Sequence, residues 1–267
     1  MTQPDINDIC IIARQAGLIL REGYEKHHDI KMKTRQDDLV TEMDKKSENF
    51  IMERINAMWP GSTIVTEETG THTGDTEHAW YIDPCDGTMN YAHGLPLFAV
   101  SIGYAYKGEL VKGVVYDPMR DECFYAEKGK GAFLNGKPIH ASNRTELKHS
   151  LFITGFSIKV MEEKGINNFA AFEHFMRTTA GVRRTGVAAL EIAYVACGRI
   201  DGMWSLKLCA WDVAAGFVIA KEAGVKITAL DGRSDAFKEP YYDFIIANPE
   251  LHTALYEELK PYHIILQ

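Results

Sequence analysis

A chain of 267 residues, 46% hydrophobic and 25% charged, has the composition of an ordinary globular protein with enough length to bury a substantial core. Its net charge of −8, with no long basic run to offset it, makes nucleic acid a poor default partner. Five scattered cysteines (Cys10, Cys85, Cys123, Cys197 and Cys209) form no Cys-x-x-Cys pair, which argues against a disulfide framework or a zinc site and for a reducing compartment. The first residues lack the basic start and apolar core of a signal peptide, and no apolar run reaches the length of a membrane span. The expectation is a cytoplasmic protein with no membrane association.

Asp5 opens a predicted helix with Ile6, Ile9, Cys10, Ala13, Ala16, Gly17 and Leu20 at three- and four-residue spacing. Residues 25–40 are polar and aperiodic and read as a mobile loop; Lys31, Lys33 and Arg35 are followed at once by Asp37 and Asp38, a mixture that suits a solvated segment. A second helix is predicted from near Asp44, with Phe50, Ile51, Ile55 and Met58 on one side, and Pro60-Gly61 ends it. Ser62–Thr66 reads as a strand, followed by Glu67, Glu68 and a Gly/Thr-rich loop to about Glu77.

Strand signals at 99–106, 110–116, 122–126 and near Phe133 are separated by Lys107-Gly108, Asp117-Pro118 and Lys128-Gly129, and Asn135-Gly136 is a strong hairpin signal. Strands so closely spaced imply an antiparallel meander. Beyond residue 150 the pattern is mixed: strands at 151–155, 202–206, 226–230 and 243–247, and helices at 167–178, 188–197, 213–223 and the C-terminus. These elements make an α+β layered fold of residues 1–267, in two packed halves of about 1–148 and 149–267 with a site between them.

The segment Trp80-Tyr-Ile-Asp83-Pro84-Cys85-Asp86-Gly87-Thr88-Met89-Asn90 carries the most chemistry. A short apolar run delivers two carboxylates three residues apart to the start of a helix. Asp83 falls where the strand should end, and Pro84 should stop the sheet ladder. Carboxylates at this spacing suit Mg²⁺, which prefers hard oxygen ligands and shares them with phosphates. The N–H groups at Gly87 and Thr88 would face an anion with the helix dipole behind them. The same residues also make a good turn, since Asp, Pro and Gly each favour one. Glu67 follows a strand as Asp83 does, while Asp44 and Asp212 precede helices, where an N-cap role would explain them without chemistry. The chain has no Gly-x-Ser-x-Gly, His-Glu-x-x-His or Walker-type loop to compete.

Glu67-Glu68, Asp83-Pro-Cys-Asp86-Gly-Thr88 with Asn90, and Trp211-Asp212-Val-Ala-Ala-Gly216 together resemble the inositol monophosphatase family, part of the Mg²⁺-dependent, lithium-sensitive phosphatases that include fructose-1,6-bisphosphatases. Leu39-Val-Thr41 with Asp44, and Arg183-Arg-Thr-Gly186 with Ala188-Ala189, extend the resemblance over most of the chain. It implies a layered αβαβα sandwich containing the meander, and a homodimer. It implies that Glu67, Asp83 and the Cys85 carbonyl hold one Mg²⁺, and that Asp83, Asp86 and Asp212 hold a second, with a third, weaker ion near Glu67. Gly87 and Thr88 would bind phosphate, and Thr88 paired with Asp44 would help Glu67 deprotonate the attacking water. Substrate contacts are implied at Asp86, Ala188, Ser205 and Asp212. The expected reaction is hydrolysis of a small phosphate monoester, inositol 1-phosphate or a related sugar phosphate, without a phosphoenzyme. Fructose 1,6-bisphosphate, 3′-phosphoadenosine 5′-phosphate and histidinol phosphate are alternative substrates, and a non-catalytic binding protein on the same scaffold is the alternative of another class.

The chain departs from the family at its substrate end. Ser205 stands where inositol-cleaving members carry a Glu that contacts sugar hydroxyls, and Val187 stands where a Ser or Thr is common. A lost hydrogen bond to a charged acceptor is worth about 1.5–3 kcal/mol, so polyol recognition should be altered while the chemistry stays intact. Gly224-Val225 replaces a Gly-Gly pair and Cys85 an aliphatic residue, changes expected to touch packing alone.

Overall fold

Two sheets with helices on every face account for the sequence pattern. The computed structural model describes residues 2–24, 31–32, 39–156, 168–234, 237 and 241–262. Helix α1 (Ile6–Gly23) is capped by Asp5, whose carboxylate accepts from the Asn7 N–H, and buries Ile9, Ile12, Ala13, Ala16 and Leu20. Helix α2 (Glu42–Met58) begins ahead of the predicted Asp44. Its N-cap is Thr41, and Asp44 is the third helical residue, closing a reciprocal capping box with Thr41. The segment read as a loop over 25–40 holds a two-stranded antiparallel ladder, β1 (Lys31–Met32) and β2 (Leu39–Val40); the expected mobility of the rest lies outside the described residues.

The strands β3 (Ser62–Thr66), β4 (Gly70–His72), β5 (Asp75–Asp86), β6 (Ala99–Tyr106), β7 (Glu109–Asp117), β8 (Glu122–Glu127), β9 (Ala132–Leu134) and β10 (Lys137–Pro138) form an eight-stranded sheet in the order β10-β9-β8-β7-β6-β5-β3-β4. From β5 to β10 every pairing is antiparallel, the predicted meander. The predicted loop between Glu68 and Glu77 is corrected: it contains β4 and the start of β5, because its Thr and His residues pair with the edge of β3. The motif strand is corrected too. β5 runs past Asp83 to Asp86, and its register slips between the Asp83↔Ser101 and Asp86↔Ala99 pairs. Pro84 sits in that irregularity, where a missing N–H costs no ladder bond.

The second sheet joins β11 (Leu151–Gly155), β12 (Gly181–Arg183), β13 (Gly202–Leu208), β14 (Lys226–Ala229) and β15 (Tyr242–Ala247) in the order β12-β11-β13-β15-β14. The first three are parallel and the last two antiparallel to their neighbours. Strand β12 was not read from the sequence, since three residues give no period. Short helix α3 (Thr88–Ala92) follows β5, and α4 (Asn168–Thr178), α5 (Ala188–Ala196), α6 (Ala210–Glu222) and α7 (Pro249–Leu259) complete the described helices.

Three apolar clusters define the layers. One unites α1 and α2 with one face of the large sheet through Ile9, Leu20, Ile51, Trp80, Ile102 and Tyr104. The second packs α5 and α6 between both sheets, with Val115 and Phe124 below and Met203, Phe244 and Ile246 above. The third covers the outer face of the small sheet with α4 and α7 through Phe152, Phe175, Trp204, Ile245, Leu251 and Leu255. The result is the αβαβα sandwich. Helix α6 lies directly on the large sheet because β6 and β7 present glycines: a Cβ on Gly103 would meet Ala214 at 2.6 Å, and one on Gly113 would meet the Ala215 carbonyl at 2.3 Å.

Candidate active site

The end of β3, the slipped end of β5 and the first turns of α3, α5 and α6 supply the site. After β3 the Glu67 N–H donates to the Ile82 carbonyl at 3.3 Å, which ties its turn to β5. Glu48, buried on α2, accepts the Thr66 hydroxyl and, at 3.0 Å, the Glu68 N–H, so it fixes the residues on both sides of Glu67. Across the slip in β5, Asp83 accepts the Cys85 N–H at 2.9 Å, and the Ser47 hydroxyl holds the Pro84 carbonyl at 2.9 Å. The Cys85 side chain points into the α1–α2 core, away from the chemistry expected of its carbonyl.

Gly87 adopts φ 95°, and a Cβ there would meet Val187 Cγ2 at 2.8 Å; both conformation and space require glycine. Thr88 follows, its hydroxyl donating to Asp44 at 2.7 Å and lying 3.1 Å from the Cys85 carbonyl. The expected Thr88–Asp44 pair is thus formed. Asp86 accepts from the N–H groups of Ala188 and Ala189 at 3.1 and 2.6 Å, which docks the start of α5 on the motif. Asp212 is the third residue of α6, not its N-cap, and accepts the Cys209 N–H at 2.7 Å. Ser205 lies buried in the wall, its hydroxyl donating to the Gly155 carbonyl at 3.1 Å.

The structure therefore brings Glu67, Asp83, Asp86 and Asp212 within electrostatic reach of one another, with Asp44 and Cys85 beside them. Burial pushes the Asp83 carboxyl well above its usual range, and Glu67, Asp86 and Asp212 push it further. Asp86 is raised by burial and then by Asp212. Asp212 is pushed up to about 7, by burial and then by Glu67, against the Cys209 hydrogen bond that lowers it. Asp44 is raised by burial against the pull of its Thr41 and Thr88 bonds. No cation figures among the strongest influences on the three coupled acids.

Buried carboxylates that repel one another without a positive partner call for a cation. Among the described residues, no three acidic, His or Cys side chains already stand at the spacing of a closed metal cage, and each coupled Asp keeps an oxygen on a backbone N–H. The donor set nonetheless fits a hard divalent ion, being carboxylates and a carbonyl with no imidazole. A cavity of about 230 Å³ opens beside them, its wall including Asp86, Asp212, Ala188, Ser205, Arg184 and Lys207.

Two buried acids went unread in the sequence. Glu191 accepts from the Thr185 N–H and hydroxyl and from the Gly186 N–H, at 3.0, 2.6 and 3.1 Å, and shapes the turn before α5; burial raises its carboxyl. An acid amid the apolar run Ala-Ala-Leu-Glu-Ile-Ala was the available signal. Glu48 shares the helical spacing of Asp44, Ile51 and Ile55, which marks it as inward-facing. Asn90, quoted in the motif, proves to bridge two loops, donating to the Leu97 and Thr185 carbonyls at 2.9 Å each.

Comparison with known proteins agrees with this construction. The chain is 37% identical over 260 residues to the Nus factor SuhB of Pasteurella multocida, covering 97% of this chain and 96% of the relative. It is 35% identical over 257 residues to an inositol-1-monophosphatase of Mesorhizobium japonicum, covering 96% of each. The solved inositol monophosphatase of Anabaena superposes with a TM-score of 0.85 at 39% identity, over 96% of this chain and 95% of that one. The model of the inositol monophosphatase family matches residues 3–263. The chain belongs to the inositol monophosphatase family.

Proposed function

We propose that this protein is a Mg²⁺-dependent phosphatase that hydrolyses a small phosphate monoester by direct attack of water. One observation carries the reading: Asp83, Asp86 and Asp212, with Glu67 in electrostatic reach, are held up by burial and mutual repulsion, no cation of the described residues figures among the strongest influences on them, and Asp86 and Asp212 line a cavity. Glu67, Asp83 and the Cys85 carbonyl would hold one ion, and Asp83, Asp86 and Asp212 a second. Bound Mg²⁺ supplies positive charge against the phosphate dianion and lowers the pKa of water near it.

The chain's own residues do the rest. Asp44 accepts the Thr88 hydroxyl proton's hydrogen bond, which leaves the Thr88 oxygen as an acceptor for a water poised beside Glu67. Glu67, held in place by Glu48 through its two neighbours, takes the proton as general base. The N–H groups of Gly87 and Thr88, at the start of α3, hold the phosphate oxygens. The Cys85 side chain points into the α1–α2 core and the Ser205 hydroxyl is turned to the Gly155 carbonyl, which supports water rather than either group as the attacking nucleophile. Rapid acid quenching during turnover of a ³²P-labelled ester tests this: no label should stay on the protein, and a labelled protein adduct would overturn the reading.

The remaining proposals are a single phosphatase unit with the site between its two halves, a homodimer and a cytoplasmic location; no described helix is long and apolar enough to cross a membrane. A second reading has its own support, because relatives of this chain are named Nus factors. A regulatory binding role would use the same scaffold. It does not displace the phosphatase reading, since a scaffold freed from catalysis has no need of mutually repelling acids gathered in one place.

A further inference from the structure

Away from the acids, two cysteines meet between helix α1 and the large sheet. Helix α1 lies on β7 and β8. Cys10, Arg14 and Gly17 fall on one face of it, at the spacing of successive turns. Two of the three can be placed on the sheet directly. A Cβ on Gly17 would meet the Tyr116 ring at 2.5 Å, and the Arg14 guanidinium lies 5.1 Å from the centre of the same ring. Tyr116 on β7 is the register partner of Cys123 on β8. Arg14 also donates to the Asn135 side-chain oxygen at 2.8 Å, and that same oxygen accepts the Cys123 N–H at 3.0 Å. Cys10, one turn back along the helix, therefore comes down beside Cys123, and its thiol shares a hydrogen bond with the Cys123 sulfur.

The guanidinium beside them is fixed. Arg14 pairs with Asp121, which accepts the Tyr116 hydroxyl at 3.0 Å, while the Asn135 amide donates to the Asp121 carbonyl at 2.8 Å. Contact with the Cys10 thiol draws the Cys123 thiol below the ordinary cysteine range against its burial, and Arg14 lowers it further. The same contact, with burial, pushes Cys10 up. One sulfur of the pair is thus the readier thiolate and the other keeps its proton, the division that a nucleophilic and a resolving cysteine need. Cys123 is 1% exposed and Cys10 half-buried, so solvent reaches the pair through Cys10, and both are free thiols. We propose that Cys10 and Cys123 are a redox pair that hydrogen peroxide closes into a reversible disulfide between α1 and β8. The thiolate attacks one peroxide oxygen, the O–O bond breaks, and hydroxide leaves to become water with a solvent proton. The sulfenic acid so formed is attacked by the second sulfur; the S–O bond breaks, and the second thiol's proton leaves with that hydroxyl as another water. Both sulfurs are oxidised and the peroxide is reduced to two waters. Transient disulfides of this kind suit a reducing compartment, where permanent ones do not persist. Neither the metal nor the ester of the phosphatase reading takes part.

The test treats the reduced, full-length protein with hydrogen peroxide, blocks remaining thiols during denaturation, and reads tryptic peptides by mass spectrometry. Trypsin cuts after Arg14, Arg120 and Lys128, so Cys10 lies in peptide 1–14 and Cys123 in peptide 121–128. These two should appear joined, lighter than their sum by two hydrogens, from protein that runs as a monomer, and a dithiol reductant should part them. Cys197 is the internal control. It is half-buried like Cys10, but burial raises its thiol and no cysteine figures among the groups that set its acidity, so it should stay reduced at the same dose. Arg14→Gln should slow the joining about fivefold by removing the cation beside the thiolate. Cys10→Ser should halt the reaction at a sulfenic acid on Cys123, trapped by dimedone. Separate sulfinic or sulfonic acids without a joined peptide, joining no faster than oxidation of Cys197, or a rate unmoved in Arg14→Gln would each overturn the inference. The joined peptide is read on the parent protein, so that part of the test stands whether or not a variant folds.

Discussion

Replacing Asp212 by Asn should stabilise the metal-free protein while destroying its activity. Asp212 titrates near 7 in the folded chain and near 4 in an unfolded one, so between those values the folded state holds more protons than the unfolded state. Stability must then fall as pH rises through this window, and the full penalty is present above pH 7. A shift of this size corresponds to an upper bound of about 4 kcal/mol at about 1.36 kcal/mol per pH unit. Asp212 shares its proton uptake with Asp83 and Asp86, so about 2 kcal/mol is the reasonable expectation for the single change. Asn keeps an oxygen for the Cys209 N–H, so the cap of α6 survives. Urea denaturation in EDTA should show Asp212→Asn more stable than the parent by about 2 kcal/mol at pH 8, with the gain fading towards pH 4. Mg²⁺ should raise the melting temperature of the parent strongly and that of the variant little. A destabilised variant, or a gain independent of pH, would refute the claim that uncompensated carboxylate charge is stored at this site.

Glu48→Gln should lower kcat about tenfold with the fold intact, because Glu67 loses the charged acceptor that fixes its neighbours; circular dichroism and steady-state kinetics check it. Lys207→Gly should raise stability by roughly 1 kcal/mol by relieving the left-handed backbone at φ 54°, read by chemical denaturation. His252 is buried, its pKa lowered to about 4 by burial and then by Lys226. Unfolded chains take up its proton first, so stability should fall by about 2 kcal/mol as pH drops from 6.5 to 4, and His252→Gln should flatten that slope.

The sequence patterns were readable where they were periodic or carried turn chemistry. The meander announced itself through closely spaced strand signals and through Lys107-Gly108 and Asn135-Gly136, whose residues all adopt the positive φ that hairpins need. Asp83, Asp86 and Asp212 were visible because an acid at the end of an apolar run is conspicuous. What stayed hidden depended on tertiary contact. β5 continues to Asp86 because β6 accepts a slipped register around Pro84, a fact of pairing rather than propensity. Thr41, not Asp44, caps α2, since Asp44 is needed simultaneously by Thr41 and by Thr88 from forty-four residues away. Glu48 looked like one more surface acid beside Lys45 and Lys46, and only the β3 turn folded over it gives it work. Lys207 carried no signal at all, because its left-handed backbone goes with a register shift in β13 and a hydrogen bond to Asp243 on the neighbouring strand β15, both tertiary features.

The central claim is that these acids exist to bind Mg²⁺ for phosphate ester hydrolysis. Phosphate release from a panel of sugar, inositol and nucleotide phosphates, measured with Mg²⁺, with EDTA and in Asp86→Asn, tests it most directly. The account predicts turnover of at least one ester that needs Mg²⁺ and is abolished both by EDTA and by the substitution. Turnover that survives EDTA or Asp86→Asn, or a folded, Mg²⁺-loaded protein that cleaves no ester, would contradict it.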